Sequence, residues 1–275
     1  MKRFLYCALV IFAGLMIHCT AWADMLEGFA GQKGKIDIAG GTAHIPVMTD
    51  AAKRIMAVNP DIRITIEGGG TGVGVQKAGE GLADIGNTGR ALSEEEIAKY
   101  GLVSFAFAVD GVTLVLHPSN NVSELSADKV REIFAGTITN WKDVGGADAP
   151  ITLYARDEAS GTREVFWGKL LKKGLVADSA NIVSSNGAMK VAVSNDVNAI
   201  GYMSIGFVDA AVKAPLLDGV EPSQDNAKDG TYPVVRKLFM NTKGEPQGLA
   251  KLFVEYVTSP ACADIISKAG YIPLN

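Results

Sequence analysis

The stretch from Ile151 to Leu171 constrains the fold of this 275-residue chain more than any other. Ile151-Thr152-Leu153-Tyr154-Ala155 is a short apolar run, Arg156-Asp157-Glu158-Ala159-Ser160-Gly161-Thr162 is polar and turn-forming, and the apolar residues of Arg163 to Leu171 recur at helical spacing. The order is therefore strand, tight turn, helix. It puts Ser160, Gly161 and Thr162 at a helix N-terminus, where unpaired backbone N–H groups and a partial positive charge meet two hydroxyls and the guanidinium of Arg156. Such a corner suits a tetrahedral oxyanion. Taken alone, the same residues also read as an ordinary N-cap serine beside a solvated arginine.

Strand-like and helix-like segments alternate along the rest of the chain, the pattern of parallel sheets covered by helices. Ile36-Asp37-Ile38 leads to a helix near Val47 to Val58, and Ile62, Ile64 and Ile66 alternate with polar residues before a glycine turn and a second helix. Ala83-Asp84-Ile85-Gly86 reads as a third strand, and Ser93-Glu94-Glu95-Glu96 as a capping box opening the helix to Tyr100. The apolar runs Leu102 to Val109 and Val112 to His117 flank Asp110-Gly111, a polar break at which the chain is expected to cross between lobes. Helices follow near Ser126 to Phe134, Thr162 to Lys173 and Gly187 to Val193, with a return near Ile200 to Ser204.

The first residues have the form of an export signal: Lys2 and Arg3, an apolar stretch from Phe4 to Ile17, then Ala21-Trp22-Ala23 with small residues where a signal peptidase reads. Cleavage after Ala23 is expected, followed by a flexible leader over 24–35. The bulky His18 before Cys19 disfavours a lipoprotein signal. Without Lys2 and Arg3, 24 basic residues face 30 acidic ones, and no basic stripe appears, so nucleic acid is excluded as a partner. Cys7 and Cys19 leave with the signal and Cys262 stands alone, which rules out an internal disulfide and a cysteine-based metal site.

Two further glycine-bearing turns follow strands. Gly40-Gly41-Thr42-Ala43 follows the first strand; Gly68-Gly69-Gly70-Thr71-Gly72-Val73-Gly74 follows the second, and its glycines let successive N–H groups approach an anion. The glycine turn has neither Gly-x-Gly-x-x-Gly spacing nor a following Lys-Ser or Lys-Thr, so it is not a nucleotide loop. By itself it could equally be a plain loop.

Asp-Glu-Ala-Ser-Gly-Thr-Arg after a strand, with Ile138-Thr139-Asn140-Trp141 before it and Ile200-Gly201-Tyr202 after it, resembles the phosphate-binding proteins that serve bacterial ABC uptake systems. The similarity runs from about Ile36 to the C-terminus. It implies an α/β fold of the type II periplasmic binding protein kind, two lobes of mainly parallel sheet flanked by helices with a ligand cleft between them. Lobe 1 would comprise 36–109 and 204–275, and lobe 2 110–203. By the same resemblance Thr42, the backbone of Ala43, Thr71, Arg156, Ser160, Gly161 and Thr162 are ligand residues. Glu158 would pair with Arg156 and orient it, Gly70 would belong to the glycine cradle, and Asn186 would line the cleft. The sequence departs from the family pattern at Gly89, where familiar members carry an aspartate that accepts the proton of hydrogen phosphate. Asp110 is the candidate replacement, with Arg90 as a second cation nearby; Asp110 reads equally as a turn residue before Gly111.

No catalytic set accompanies these residues. His44 and His117 belong to no His-Glu-x-x-His motif, and Ser160 lacks the Gly-x-Ser-x-Gly elbow because Glu158 stands at its first glycine. The reading is an exported, monomeric, cofactor-free binding protein that carries inorganic phosphate to an ABC permease in the inner membrane. Two alternatives remain: another tetrahedral oxyanion such as molybdate, tungstate or sulfate, and an exported phosphate sensor or adhesion protein with no transporter.

Overall fold

The computed structural model describes residues 25–274, so the expected signal segment and its cleavage site lie outside the described residues. Strand β1 (Gly34–Gly40) passes through a 3-10 turn at Thr42–His44 into helix α1 (Ile45–Val58), β2 (Ile62–Gly69) turns into α2 (Thr71–Gly79), and β3 (Ile85–Thr88) precedes α3 (Glu94–Tyr100). The apolar residues of α1 explain its position: Val47, Met48, Ala51, Ala52 and Ile55 fall on one face and are buried against the sheet. Helix α3 starts at the expected capping box, with Ser93 Oγ accepting from Glu96 N and Glu96 Oε2 accepting from Ser93 N.

The 15-residue strand β4 (Leu102–Leu116) then runs unbroken through Asp110-Gly111. The polar break expected there is absent because Asp110 lies in register with Arg236 on a neighbouring strand, which supplies the missing counter-charge. Next come β5 (Glu124–Leu125), α4 (Ala127–Phe134), β6 (Thr152–Arg156), α5 (Gly161–Lys169), β7 (Asn181–Val183), α6 (Asn186–Ser194) and β8 (Ala199–Ser204). The chain closes with β9 (Leu216–Leu217), α7 (Gln224–Lys228), β10 (Val235–Lys243), α8 (Gly248–Thr258), α9 (Ala263–Lys268) and β11 (Ile272–Pro273).

Strand order in the main sheet is β2-β1-β3-β10-β4-β8-β6-β7. Strands β1, β2 and β3 pair in parallel, as do β6, β7 and β8, while β10 is antiparallel to both β3 and β4. β4 pairs with β10 up to Gly111 and with β8 from Val112, so one strand carries the chain from one lobe to the other. This is the two-lobed α/β architecture of the type II periplasmic binding proteins. Ile36, Ile38, Met48, Ile85, Leu238 and Phe253 belong to the core of the first lobe; Val112, Leu114, Trp141, Phe166 and Tyr202 belong to that of the second.

Two boundaries differ from expectation. Leu217, Tyr232 and Val234 pack in the second core, so the chain stays with that lobe past residue 204 and returns on β10. The leader is not loose either. Phe29 is fully buried and meets Tyr256 edge-on at 6.2 Å, and Asn59 Nδ2 donates to the carbonyls of Phe29 and Gln32. Burying one aromatic side chain and satisfying two carbonyls outweighs the conformational freedom of a short glycine-containing segment.

Candidate functional site

Three chain turns meet where the lobes face each other, and together they line a small cavity. Thr42 and Ala43 come from the turn after β1, Gly70 and Thr71 from the start of α2, and Ser160, Gly161 and Thr162 from the start of α5. Neither the turn at Thr42 nor α2 has a side-chain cap, so their first amides are not covered by their own chain. At α5 the Ser160 hydroxyl accepts from Arg163 N, which leaves the amides of Gly161 and Thr162 toward the cavity end.

Arg156 ends β6 and is 1 % exposed. Its backbone N–H donates to Tyr202 Oη at 3.0 Å, and Tyr202 stacks on Phe166 of α5 with ring centroids 4.0 Å apart, so strand, helix and arginine are locked together. Nε donates to the Val183 carbonyl and Nη2 to that of Ser184, both at 3.0 Å. Nη1 is buried and has no protein acceptor. Burial holds the Arg156 guanidinium below the usual arginine range, with nearby Arg236 adding to that effect. An unpaired buried N–H on a guanidinium wants an acceptor, and an anion in the cavity supplies one.

Arg236, which sequence reasoning missed, also lines the cavity. It lies on β10, where Arg236, Leu238 and Met240 alternate as buried residues; an arginine on the inward side of an alternating strand was the available signal. Nε donates to Asp110 Oδ2 at 2.8 Å. Nη2 is 2.7 Å from the same oxygen as a charge contact but is not angled to bond it, and so keeps its hydrogen free. Glycine at position 89 makes this possible. A Cβ there would lie 2.6 Å from Arg236 Nη1, so the guanidinium fills the space that a side chain would need.

The structure corrects four expectations about individual residues. Asp110 is buried behind Arg236 and does not line the cavity: Oδ2 faces Arg236 and Oδ1 accepts from Ser204 Oγ at 2.7 Å. Burial pushes its carboxyl above the usual range, opposed by the Arg236 guanidinium and the Ser204 hydroxyl. Glu158 is exposed and makes no contact with Arg156, whose fork is held instead by the two carbonyls after β7. Arg90 is drawn away by carboxylates, pairing with Glu96 at 2.7 Å and with Glu164 of the opposite lobe at 2.5 Å. Asn186 does not line the cavity but bridges the lobes, its Nδ2 donating to Thr42 Oγ1 at 3.1 Å and its Oδ1 accepting from Ser204 N at 3.1 Å.

A second missed residue, His44, is fully buried beside the cavity with neither ring nitrogen hydrogen-bonded. Burial, reinforced by Arg236, lowers its pKa to about 3. A group depressed in the folded state takes its proton first in the unfolded one, so its stabilising contribution is complete above the unfolded value of 6.5 and is lost as pH falls toward 3. Below 6.5 each pH unit should cost up to about 1.4 kcal/mol. Urea unfolding at pH 7 and near pH 5 should therefore show a larger loss for the wild type than for His44→Phe, by about 2 kcal/mol. Equal losses would place a charged imidazole in the fold.

Lobe closure depends on Gly161. A Cβ at that position would collide with Thr71 Oγ1, and the neighbouring Ala159 carbonyl accepts from Gly72 N across the cleft at 3.0 Å. Gly161→Ala should weaken anion binding at least tenfold while leaving the unfolding midpoint of the ligand-free protein within a few degrees. Calorimetric titration and thermal melting together check this; unaltered binding would mean that the lobes need not approach this closely.

A family model described as "PBP superfamily domain" matches residues 27–261. The phosphate-binding protein PstS of Bacillus subtilis (strain 168) is 36% identical over 256 residues, covering 92% of this chain and 85% of the relative. A Clostridium perfringens protein assigned as a phosphate ABC transporter substrate-binding protein, solved by X-ray crystallography with bound phosphate, superposes with a TM-score of 0.83 at 33% identity, covering 88% of this chain and all of the other. An ABC-type phosphate transport receptor from Vibrio cholerae superposes with a TM-score of 0.70 at 33% identity, covering 86% and 99%. With the cleft, the converging turns and the buried arginines in place, the chain belongs to the PBP superfamily as a PstS-like solute-binding protein, a family of binding proteins and not of enzymes.

Proposed function

We propose that this protein is exported, closes on inorganic phosphate between its lobes, and presents it as a single chain to an ABC permease in the inner membrane. The observation that carries the reading is Arg156 Nη1, a buried charged donor without an acceptor on a residue that lines the cavity between the lobes. Thr42, Ala43, Thr71, Ser160, Gly161 and Thr162 surround the same space and would complete the ligand shell from both lobes. Hydrogen bonds made in a water-poor cavity supply affinity, and hinge closure supplies the signal for the permease. The names carried by the Bacillus subtilis and Clostridium perfringens relatives favour phosphate among the tetrahedral oxyanions.

Removal of the N-terminal segment after Ala23 belongs to this reading, and the mass of the exported protein checks it. Ligand identity is tested by calorimetric titration of the phosphate-stripped protein with phosphate, sulfate, molybdate and acetate. Phosphate should bind with a dissociation constant of micromolar order or tighter, corresponding to about −8 kcal/mol, and acetate should not bind. Absence of heat with every tetrahedral anion would remove the reading.

A further inference from the structure

Asn186 opens α6 in the second lobe and is fully buried. A buried amide needs its hydrogen bonds, and here each of them has a fixed direction. The backbone N–H of Ser204, at the end of β8, can only donate, so its partner at 3.1 Å must be the amide oxygen, Oδ1. That choice sends Nδ2 the other way, to Thr42 Oγ1 of the first lobe at 3.1 Å. The backbone N–H of Asn186 donates to the same oxygen from 3.4 Å. Ser204 is itself held, its hydroxyl donating to Asp110 Oδ1 at 2.7 Å, so the sequence of directions starts from a strand that is fixed in place.

With an N–H donor on each lone pair, Thr42 Oγ1 has only its hydrogen left to offer, and among the described residues that hydrogen has no acceptor. Thr42 is 6 % exposed and lines the cavity. Two other hydroxyls there differ: Thr71 Oγ1 accepts from Gly89 N and Ser160 Oγ from Arg163 N, one bond each and each from its own lobe, so both retain a free lone pair. We infer that Asn186 is a positioning residue for the anion: it takes up the acceptor sites of Thr42 from across the cleft and commits that hydroxyl to donating to the bound oxyanion. The inference rests on the preceding reading that an oxyanion occupies this cavity.

The arrangement joins recognition to closure. Thr42 belongs to the first lobe and Asn186 to the second, so the hydroxyl acquires its fixed direction only where the lobes meet as they do here. Without Asn186 the hydroxyl is free to rotate, and it accepts as readily as it donates. The start of α6 does not depend on the Asn186 side chain, because Ser185 caps that helix by accepting from Ala188 N at 2.9 Å. A merely structural Asn186 would act through Ser204 N alone, whatever residue stood at position 42.

The test is a double-mutant cycle on phosphate affinity, measured by calorimetric titration of the phosphate-stripped protein with Asn186→Ala, Thr42→Val and the two together. Thr42→Val should weaken phosphate binding at least about tenfold, as loss of a donor to a charged acceptor does, and Asn186→Ala at least about fivefold. In the Thr42→Val background Asn186→Ala should change the affinity less than about twofold, because no hydroxyl is left to aim. Equal losses in the two backgrounds overturn the inference and leave Asn186 a support for Ser204. A crystal structure of the wild-type protein with phosphate is a second measurement that needs no variant to fold. Thr42 Oγ1 should lie within about 3 Å of an anion oxygen with Asn186 Nδ2 still bonded to it, and an anion held by Arg156 but more than about 3.5 Å from Thr42 Oγ1 overturns the inference as well. Failure of the wild type to bind any tetrahedral anion removes the oxyanion reading itself.

Discussion

Replacing Arg156 by alanine should abolish useful anion binding, with a loss of about 3 kcal/mol or more, a hundredfold or greater rise in Kd. Three of its donors serve different ends: Nε and Nη2 tie it to the carbonyls of Val183 and Ser184, and Nη1 is left for the ligand. Truncation removes the charged bond to the anion and orphans two carbonyls that held the second lobe's side of the cavity. Arg156→Lys should recover part of the loss at best, because one ammonium on a flexible stem cannot reproduce a fork fixed on two carbonyls while pointing at a third acceptor. Titration of both variants, with circular dichroism to confirm folding, decides the matter. A loss below tenfold for Arg156→Ala would place the binding determinant elsewhere.

Asp110→Asn has the second large effect, and its direction separates two roles for the carboxylate. Asp110 and Arg236 form a buried pair, with Arg236 only 6 % exposed, and breaking such a pair by removing one partner costs about 3–5 kcal/mol because the surviving charge stays buried. Urea unfolding of the ligand-free variant should show that loss. Phosphate, arriving as a replacement counter-ion for Arg236, should then stabilise the variant more than it stabilises the wild type. A carboxylate that accepted the ligand's proton would behave oppositely: its removal would weaken phosphate binding. A tenfold fall in phosphate affinity in the folded variant would therefore restore Asp110 to direct contact.

The alternation of strands and helices was legible because it depends on local periodicity. β1, α1, β2, α3 and the strand–turn–helix at Arg156 fall where the apolar spacing puts them. The cavity residues Thr42, Thr71, Ser160, Gly161 and Thr162 were legible at strand-to-helix turns only once those turns were read together with the family resemblance. What stayed hidden is what pairing across the sheet decides. Asp110-Gly111 looks like a break until β10 is laid beside β4 and Arg236 falls opposite Asp110. Arg236 looks like an ordinary charged residue in Val235-Arg236-Lys237 until Gly89 from β3's end leaves room for it. The partners of Arg156 were misjudged likewise: Glu158 is near in sequence, but the carbonyls that hold the guanidinium come from Val183 and Ser184, more than twenty-five residues away. Phe29 and Tyr232 were assigned to the wrong surroundings because burial of single aromatic side chains leaves no periodic trace in short segments.

The central claim is that the space between the two lobes is the seat of a tetrahedral oxyanion held by Arg156 and the α5 N-terminus. A crystal structure of the protein grown with phosphate tests it most directly. The account predicts one anion in the cavity, accepting from Arg156 Nη1 and from the amides of Gly161 and Thr162 at about 2.7–3.1 Å, with the lobes closed as described. An empty cavity in a crystal whose protein binds phosphate in solution, or an anion seated away from Arg156, would contradict it.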